Sequence, residues 1–203
     1  MTEPGTVFVI DDDEAVRDSL SWLVRSAGLQ AETFASAALF LRDFGEDRPG
    51  CLVLDIRMPG MNGLELQSVL RERQFRLPII IISGHADVPM AVRALKAGAF
   101  DFIEKPFNDQ LLLDLVQRAL EQDRSQRKNM AEVEQWRARI DSLTPREREV
   151  LNWVVSGASN KQISAELGVS LKTVEAHRAR VMAKLQADSL SHLVRMAVSV
   201  QEN

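Results

Sequence analysis

The chain has little of several things that define whole classes of protein. It holds one cysteine, Cys51, in 203 residues, so no internal disulfide can form, and a single thiol without Cys or His neighbours makes no metal site. No apolar run approaches the roughly 18 residues that a membrane span requires. Met1-Thr2-Glu3-Pro4-Gly5 leads straight into a Val/Ile run with no basic segment ahead of it, so no export signal is expected. These absences together point to a reducing compartment, and a cytoplasmic location is the expectation. An excess of positive charge is also missing. Lys+Arg number 25 against 29 Asp+Glu, a net charge of -4, which for the chain as a whole argues against a nucleic-acid binder.

What remains is ordinary globular material: 45% hydrophobic and 27% charged residues, enough for a packed core. The length allows one large domain or two small ones. The charge is unevenly spread. Residues 1–124 carry 20 acidic and 13 basic groups, whereas residues 142–203 carry 6 and 8, so two domains of opposite sign are expected. Within the second, Lys172, Arg178, Arg180 and Lys184 stand against Glu175 alone on one helical stretch, the candidate nucleic-acid element.

The first part alternates short β-branched runs with helical periods. Thr6–Ile10, Cys51–Leu54 and Pro78–Ile82 are near-continuous apolar runs of the kind buried on both faces of a parallel sheet, with weaker candidates at Ala31–Phe34 and Phe100–Ile103. Helical periods run from Glu14 to Ala27, Ser36 to Arg42, Gly63 to Arg73 and Pro89 to Ala97, and Asn108 opens a long helix. Five such units predict a doubly wound α/β domain over residues 1–121, with its chemistry at the carboxyl ends of the strands. Residues 122–141 read as a helical linker. Its stripe of Met130, Val133, Trp136 and Ile140 suits either a short intermolecular seam or docking on the chain's own domains. Residues 142–203 are all helical: Thr144-Pro145-Arg146-Glu147 and Ser159-Asn160-Lys161-Gln162 are capping boxes, Gly168-Val169-Ser170 is a tight turn, Leu171–Leu185 is a basic helix, and Asp188 is placed to cap a fourth helix. Helix, glycine turn and basic helix form the helix-turn-helix pattern.

Polar groups collect where the strands end: Asp11, Asp12 and Asp13 after the first, Asp55 after the third, Ser83 at the end of the fourth, Lys105 after the fifth. Taken singly, Asp12 or Asp13 could cap the following helix, Asp55 could be a turn aspartate, and Lys105-Pro106 an ordinary loop pair. Taken together, converging carboxylates suit Mg²⁺, and Ser83 and Lys105 are placed to contact a phosphoryl group on Asp55. The constellation predicts phosphoryl transfer to a carboxylate. An aspartate-nucleophile phosphohydrolase is the enzyme alternative, but it would want a second acid two residues after the nucleophile, where this chain has Arg57. A DNA-binding or interaction module that no longer takes phosphate is the other alternative.

The strings Val9-Ile10-Asp11-Asp12-Asp13, Asp55-Ile56-Arg57-Met58-Pro59-Gly60, Ser83-Gly84-His85-Ala86-Asp87-Val88-Pro89 and Lys105-Pro106-Phe107, in this order, resemble the receiver domain of two-component response regulators, which implies a flavodoxin-like fold. Thr173 to Leu185 resembles the LuxR/NarL type of helix-turn-helix, and Asp87–Val92 with Ser191–Ala197 bring the chain closest to the FixJ subgroup. The resemblance implies that a sensor histidine kinase phosphorylates Asp55, that Asp12 and Asp55 ligate Mg²⁺ directly and Asp11 through water, and that the Arg57 backbone carbonyl completes the protein ligands. Phe102 matches an aromatic switch position. Ser83 stands where the subgroup often has threonine. His85 and Cys51 have only structural readings, as a loop residue and a buried thiol.

The implied partners are the kinase, promoter DNA, RNA polymerase and, after phosphorylation, a second copy of the chain; slow self-phosphorylation from phosphodonors and slow dephosphorylation are the only catalysis expected. New bonds from Ser83 and Lys105 to phosphoryl oxygens, at about 1.5–3 kcal/mol each, compare with the roughly 5.5 kcal/mol that inverts a 1:99 equilibrium. On the DNA side Val174, Val181 and Leu185 hold core spacing. Glu175, Ala176 and Ala179 are expected near base edges, Lys161, Lys172, Arg178 and Arg180 on phosphates, and Thr173 is a further DNA-binding candidate on the same helix. A solvated basic face is the alternative for these cations, and His177 suits either role.

Overall fold

A computed structural model of the chain describes residues 5–44, 48–84 and 87–202; the readings placed on residues 1–4 and on His85 lie outside the described residues. The chain divides into two compact units, Met1–Arg127 and Lys128–Asn203.

In the first unit five parallel strands, β1 (Thr6–Ile10), β2 (Gln30–Phe34), β3 (Gly50–Asp55), β4 (Ile79–Ser83) and β5 (Asp101–Glu104), form one sheet in the order β2-β1-β3-β4-β5. This is the doubly wound order, with its topological switch point between β1 and β3. The continuous apolar runs follow from burial on both sides. Val7, Val9, Cys51, Val53, Ile80 and Ile82 face α1 (Glu14–Ser26) and the first part of α5 (Asp109–Asp141). Phe8, Ile10, Leu52, Leu54, Ile79 and Ile81 face α2 (Ala37–Asp43), α3 (Gly63–Glu72) and α4 (Val88–Lys96). Successive strand residues point to opposite faces, so both faces must be apolar. The second layer is rich in rings: Phe8, Phe34, Phe40, Phe44 and Phe75 contact one another, and the Arg48 guanidinium lies 4.8 Å from the Phe8 centroid while pairing with Glu32.

The first unit runs as far as Arg127 because two residues of the otherwise exposed polar stretch of α5, Asp123 and Arg127, dock on it. Asp123 is buried; it accepts the Gly50 N–H at 3.0 Å and pairs with Arg127, whose guanidinium also donates to the Arg48 carbonyl.

In the second unit, the end of α5 packs with α6 (Pro145–Val155), α7 (Asn160–Leu167), α8 (Leu171–Leu185) and α9 (Leu190–Glu202) around Val150, Leu151, Ile163, Val174, Val181, Leu185, Leu193 and Met196. Trp136 and Ile140 of the α5 stripe join this core, and Arg139 donates to the Leu185 carbonyl. Both capping boxes form, at Thr144/Glu147 and Ser159/Gln162, and Gly168 takes a left-handed φ of 63° in the turn before α8. One cap differs from expectation. Ser189, not Asp188, accepts the His192 N–H at the start of α9, because the helix begins one residue later than the sequence pattern placed it; Asp188 donates its own N–H to His192 Nδ1.

Candidate functional site

The strand register brings the carboxyl ends level: Ile10 is opposite Leu54, Asp55 opposite Ile82, and Ser83 opposite Glu104. Asp11, Asp55 and Ser83 are therefore buried side by side at one edge of the sheet, and Lys105, one residue past β5, reaches across them. Its Nζ donates to Asp11 Oδ2 at 2.7 Å and to Asp55 Oδ1 at 2.8 Å. Its backbone N–H donates to the Ser83 carbonyl at 2.8 Å, which fixes the origin of the side chain next to that serine. The Lys105–Pro106 peptide is cis.

Each remaining carboxylate oxygen is also held. Asp55 Oδ2 accepts the Arg57 N–H at 2.6 Å, while the Arg57 side chain is exposed. Asp11 Oδ1 accepts the Asp13 N–H at 2.9 Å. Asp13 is the helix cap, accepting from Ala15 and Val16, which leaves Asp12 exposed and uncommitted to α1. Burial pushes the Asp55 carboxyl above its ordinary range, and the Lys105 ammonium only partly offsets it. Burial alone would lower the Lys105 ammonium, but its bonds to Asp11 and Asp55 outweigh this and raise it. One ammonium thus serves two buried carboxylates. Gly63, the first residue of α3, lies against it: a Cβ there would stand 2.5 Å from the Asp55 carbonyl oxygen. Phe102, on β5, is half-buried against the α4 side of the core.

In the second unit α8 turns Val174, Val181 and Leu185 inward. Lys172, Glu175, Ala176 and Ala179, spaced as i, i+3, i+4 and i+7, share one exposed face with Arg180, and Lys161 is exposed on α7. Thr173 is half-buried, its hydroxyl against that of Ser170. Arg178 is half-buried and donates to Asn160 Oδ1 at 2.8 Å, tying α8 to the start of α7. Lys184, counted with the basic helix by sequence, pairs instead with the buried Glu147 at 2.7 Å. His177 Nδ1 is buried without a hydrogen-bond partner among the described residues.

Residues 7–117 match the response regulator receiver domain, and residues 141–197 match the bacterial regulatory proteins of the luxR family. The chain is a response regulator. It is 46% identical over 198 residues to the transcriptional regulatory protein FixJ of Bradyrhizobium diazoefficiens, covering 98% of this chain and 97% of that protein. It is 45% identical over 199 residues to the response regulator protein TodT of Pseudomonas putida, covering 98% and 88%. The solved structure of the response regulator StyR superposes with a TM-score of 0.83 at 45% identity, covering 96% of this chain and 98% of that one. The protein belongs to the family that joins a receiver to a LuxR-type DNA-binding domain, and it is a phosphorylation-dependent transcription regulator of the FixJ type. Receiver domains generally use Mg²⁺. Among the described residues no helix is long and apolar enough to cross a membrane.

Two polar elements escaped the sequence pattern. Asp123 with Arg127 left only an i,i+4 acid–base spacing inside a charged run. Arg17 left none, because it acts on a backbone atom: its Nη1 donates to the Asp11 carbonyl at 2.8 Å.

Proposed function

We propose that residues 1–121 form the receiver, 122–141 a helical linker and 142–203 the DNA-binding domain, and that Asp55 accepts a phosphoryl group from the phosphohistidine of a sensor kinase. The observation that carries this reading is the Lys105 ammonium shared between Asp11 and Asp55, beside the buried Ser83 at the switch point of the sheet. An Asp55 oxygen attacks phosphorus, an O–P bond forms as the P–N bond breaks, and the imidazole leaves with the electron pair. The Arg57 N–H keeps the carboxylate plane fixed during the transfer. The Lys105 ammonium passes from Asp55 Oδ1 to a phosphoryl oxygen, and the Ser83 hydroxyl donates to another.

The residues fit Mg²⁺. Two buried carboxylates converge on a single ammonium, and the exposed Asp12 is next in the chain, a small hard-oxygen set of the kind that leaves this ion several waters. Among the described residues no group of three or more His, Cys, Asp or Glu side chains is placed to hold a metal ion by itself, so a backbone carbonyl and water would have to complete the set. Asp12, Asp55 and the Arg57 carbonyl would hold the ion directly and Asp11 through water. When bound, it supplies charge neutralisation at the phosphoryl oxygens.

The switch energy is divided differently from the sequence expectation. Lys105 already bonds Asp55 before phosphorylation, so its move is an exchange of partners and contributes less than a newly made bond would. Repacking of Phe102 would carry the change to α4 and the start of α5, where Val88, Val92, Leu95 and Leu111 are exposed, a surface suited to a second copy. The dimer would then present Glu175, Ala176 and Ala179 to base edges and Lys161, Lys172, Arg178 and Arg180 to phosphates of promoter half-sites, with Thr173 beside them on α8, and recruit or exclude RNA polymerase in the cytoplasm. Catalysis is limited to slow self-phosphorylation and dephosphorylation.

The test is paired. Incubation with Mg²⁺ and acetyl phosphate is expected to add one phosphoryl group by intact mass and to raise the solution molecular weight to that of a dimer, with neither change in Asp55→Asn. An adduct that persists in Asp55→Asn would overturn the assignment.

A further inference from the structure

We infer that Arg17 is a positioning residue for the cation site, acting through the backbone that carries Asp12; the inference rests on the reading of Asp11, Asp12 and Asp55 given above. Asp12 is exposed, and its carboxylate accepts no hydrogen bond among the described residues. Nothing holds that side chain directly, so the direction of its Cα–Cβ bond is set by the two planar peptide groups on either side.

Each of those planes has one anchor. The plane between Asp12 and Asp13 is held by the Asp13 N–H, which donates to Asp11 Oδ1 at 2.9 Å. The plane between Asp11 and Asp12 is held by the Asp11 carbonyl, which accepts from Arg17 Nη1 at 2.8 Å. The first anchor depends on Asp11, itself fixed by Lys105 and by its N–H to the Phe34 carbonyl. The second depends on Arg17. The base of the arginine is in turn rigid, because its own N–H donates to the Asp13 carbonyl at 3.0 Å and Asp13 caps the same helix at Ala15 and Val16. A closed loop results: strand end, acidic turn, cap, first turn of α1, and back through the guanidinium to the strand end. The loop leaves one group uncommitted, the Asp12 carboxylate.

Charge and position make opposite predictions for Arg17. A cation this close to a divalent-ion site opposes binding by Coulomb repulsion, so if charge were what mattered, its removal would tighten Mg²⁺ binding. If position is what matters, removal frees the Asp11–Asp12 plane, the Asp12 carboxylate samples other directions, and binding weakens. Lysine keeps the charge but not the planar fork that reaches a carbonyl from this distance.

Calorimetric titration of the full chain with MgCl₂ tests this, with wild type, Arg17→Met and Arg17→Lys compared well below their urea midpoints. Both variants are expected to bind Mg²⁺ at least about tenfold more weakly, as loss of an outer-shell support usually costs. The Mg²⁺ concentration for half-maximal phosphorylation by acetyl phosphate should rise by the same factor, while the rate at saturating Mg²⁺ is retained; a general loss of fold would lower both. Unchanged or tighter binding in Arg17→Met, or wild-type affinity in Arg17→Lys, overturns the inference. Absence of Mg²⁺ binding by wild type overturns the underlying reading of the carboxylates and the inference with it.

Discussion

Ser83 shows how much one atom decides at this site. Its neighbours are fixed: the Lys105 N–H donates to its carbonyl, its side chain is fully buried, and Asp55 lies one strand away. In the proposed switch Lys105 changes partners and the Ser83 hydroxyl donates to a phosphoryl oxygen, and a hydrogen bond to such a charged acceptor contributes about 1.5–3 kcal/mol. Ser83→Ala should therefore accept phosphate normally but lower the dimerisation constant of the phosphorylated protein by about ten- to a hundredfold. Ser83→Thr, which keeps the hydroxyl and narrows its rotamers, should retain dimerisation. Sedimentation of the acetyl phosphate-treated variants measures both, and a wild-type constant in Ser83→Ala would show that the hydroxyl is not part of the switch. These residues were legible because each stands at a strand end and carries a side chain suited to phosphoryl chemistry. Arg17 was not, since a bond to a main-chain oxygen leaves no pattern of residue types. Cys51, read as a buried thiol, is one: burial first, and the Asp123 charge second, push its pKa up, leaving it unreactive.

At the scale of elements, the strands were the clearest part of the sequence, since burial on two faces demands unbroken apolar runs. Helix ends were legible where a box of residue types marks them, as at Thr144–Glu147, and missed by one residue at α9, where Asp188 and Ser189 offered competing caps. The basic helix was legible as an element, but its charge was overcounted: Lys184 is committed to Glu147, and Arg178 holds Asn160. Three of the proposed phosphate contacts, Lys161, Lys172 and Arg180, are exposed. At about -0.9 per phosphate, three give a slope of log affinity against log salt near -2.7 per protomer. The slope steepens to about -3.6 only if Arg178 leaves Asn160 for a phosphate. Fluorescence titration of a half-site duplex at several salt concentrations distinguishes the two, and Arg178→Met then shows whether the fourth contact is made. A slope near zero would remove the phosphate assignment altogether.

For the whole molecule, the division into two units was legible from the swing in charge and from the change of strand runs to helical periods. The boundary was harder to see, because α5 continues unbroken from one core to the other and carries no glycine or proline where the ownership changes, at Arg127 and Lys128. Each unit closes its own core, so each should respond to acid through its own buried carboxylates. In the second unit that group is Glu147, which accepts from Lys184 and from the Thr144 N–H and is held at a pKa of about 2 against an ordinary 4.5. A carboxyl lowered on folding stabilises the native state fully above its unfolded value and loses that contribution as pH falls toward the folded one. Stability of the second unit should thus hold down to about pH 4.5 and decline between there and about pH 2. Of the three tryptophans, Trp136 and Trp153 lie in this unit and Trp22 in the other, so urea unfolding followed by fluorescence in a Trp22→Phe background reports the second unit alone. Glu147→Gln should start lower at neutral pH and fall less steeply over the acid range. Equal slopes in the two proteins would mean that the Glu147–Lys184 pair is not what acid breaks.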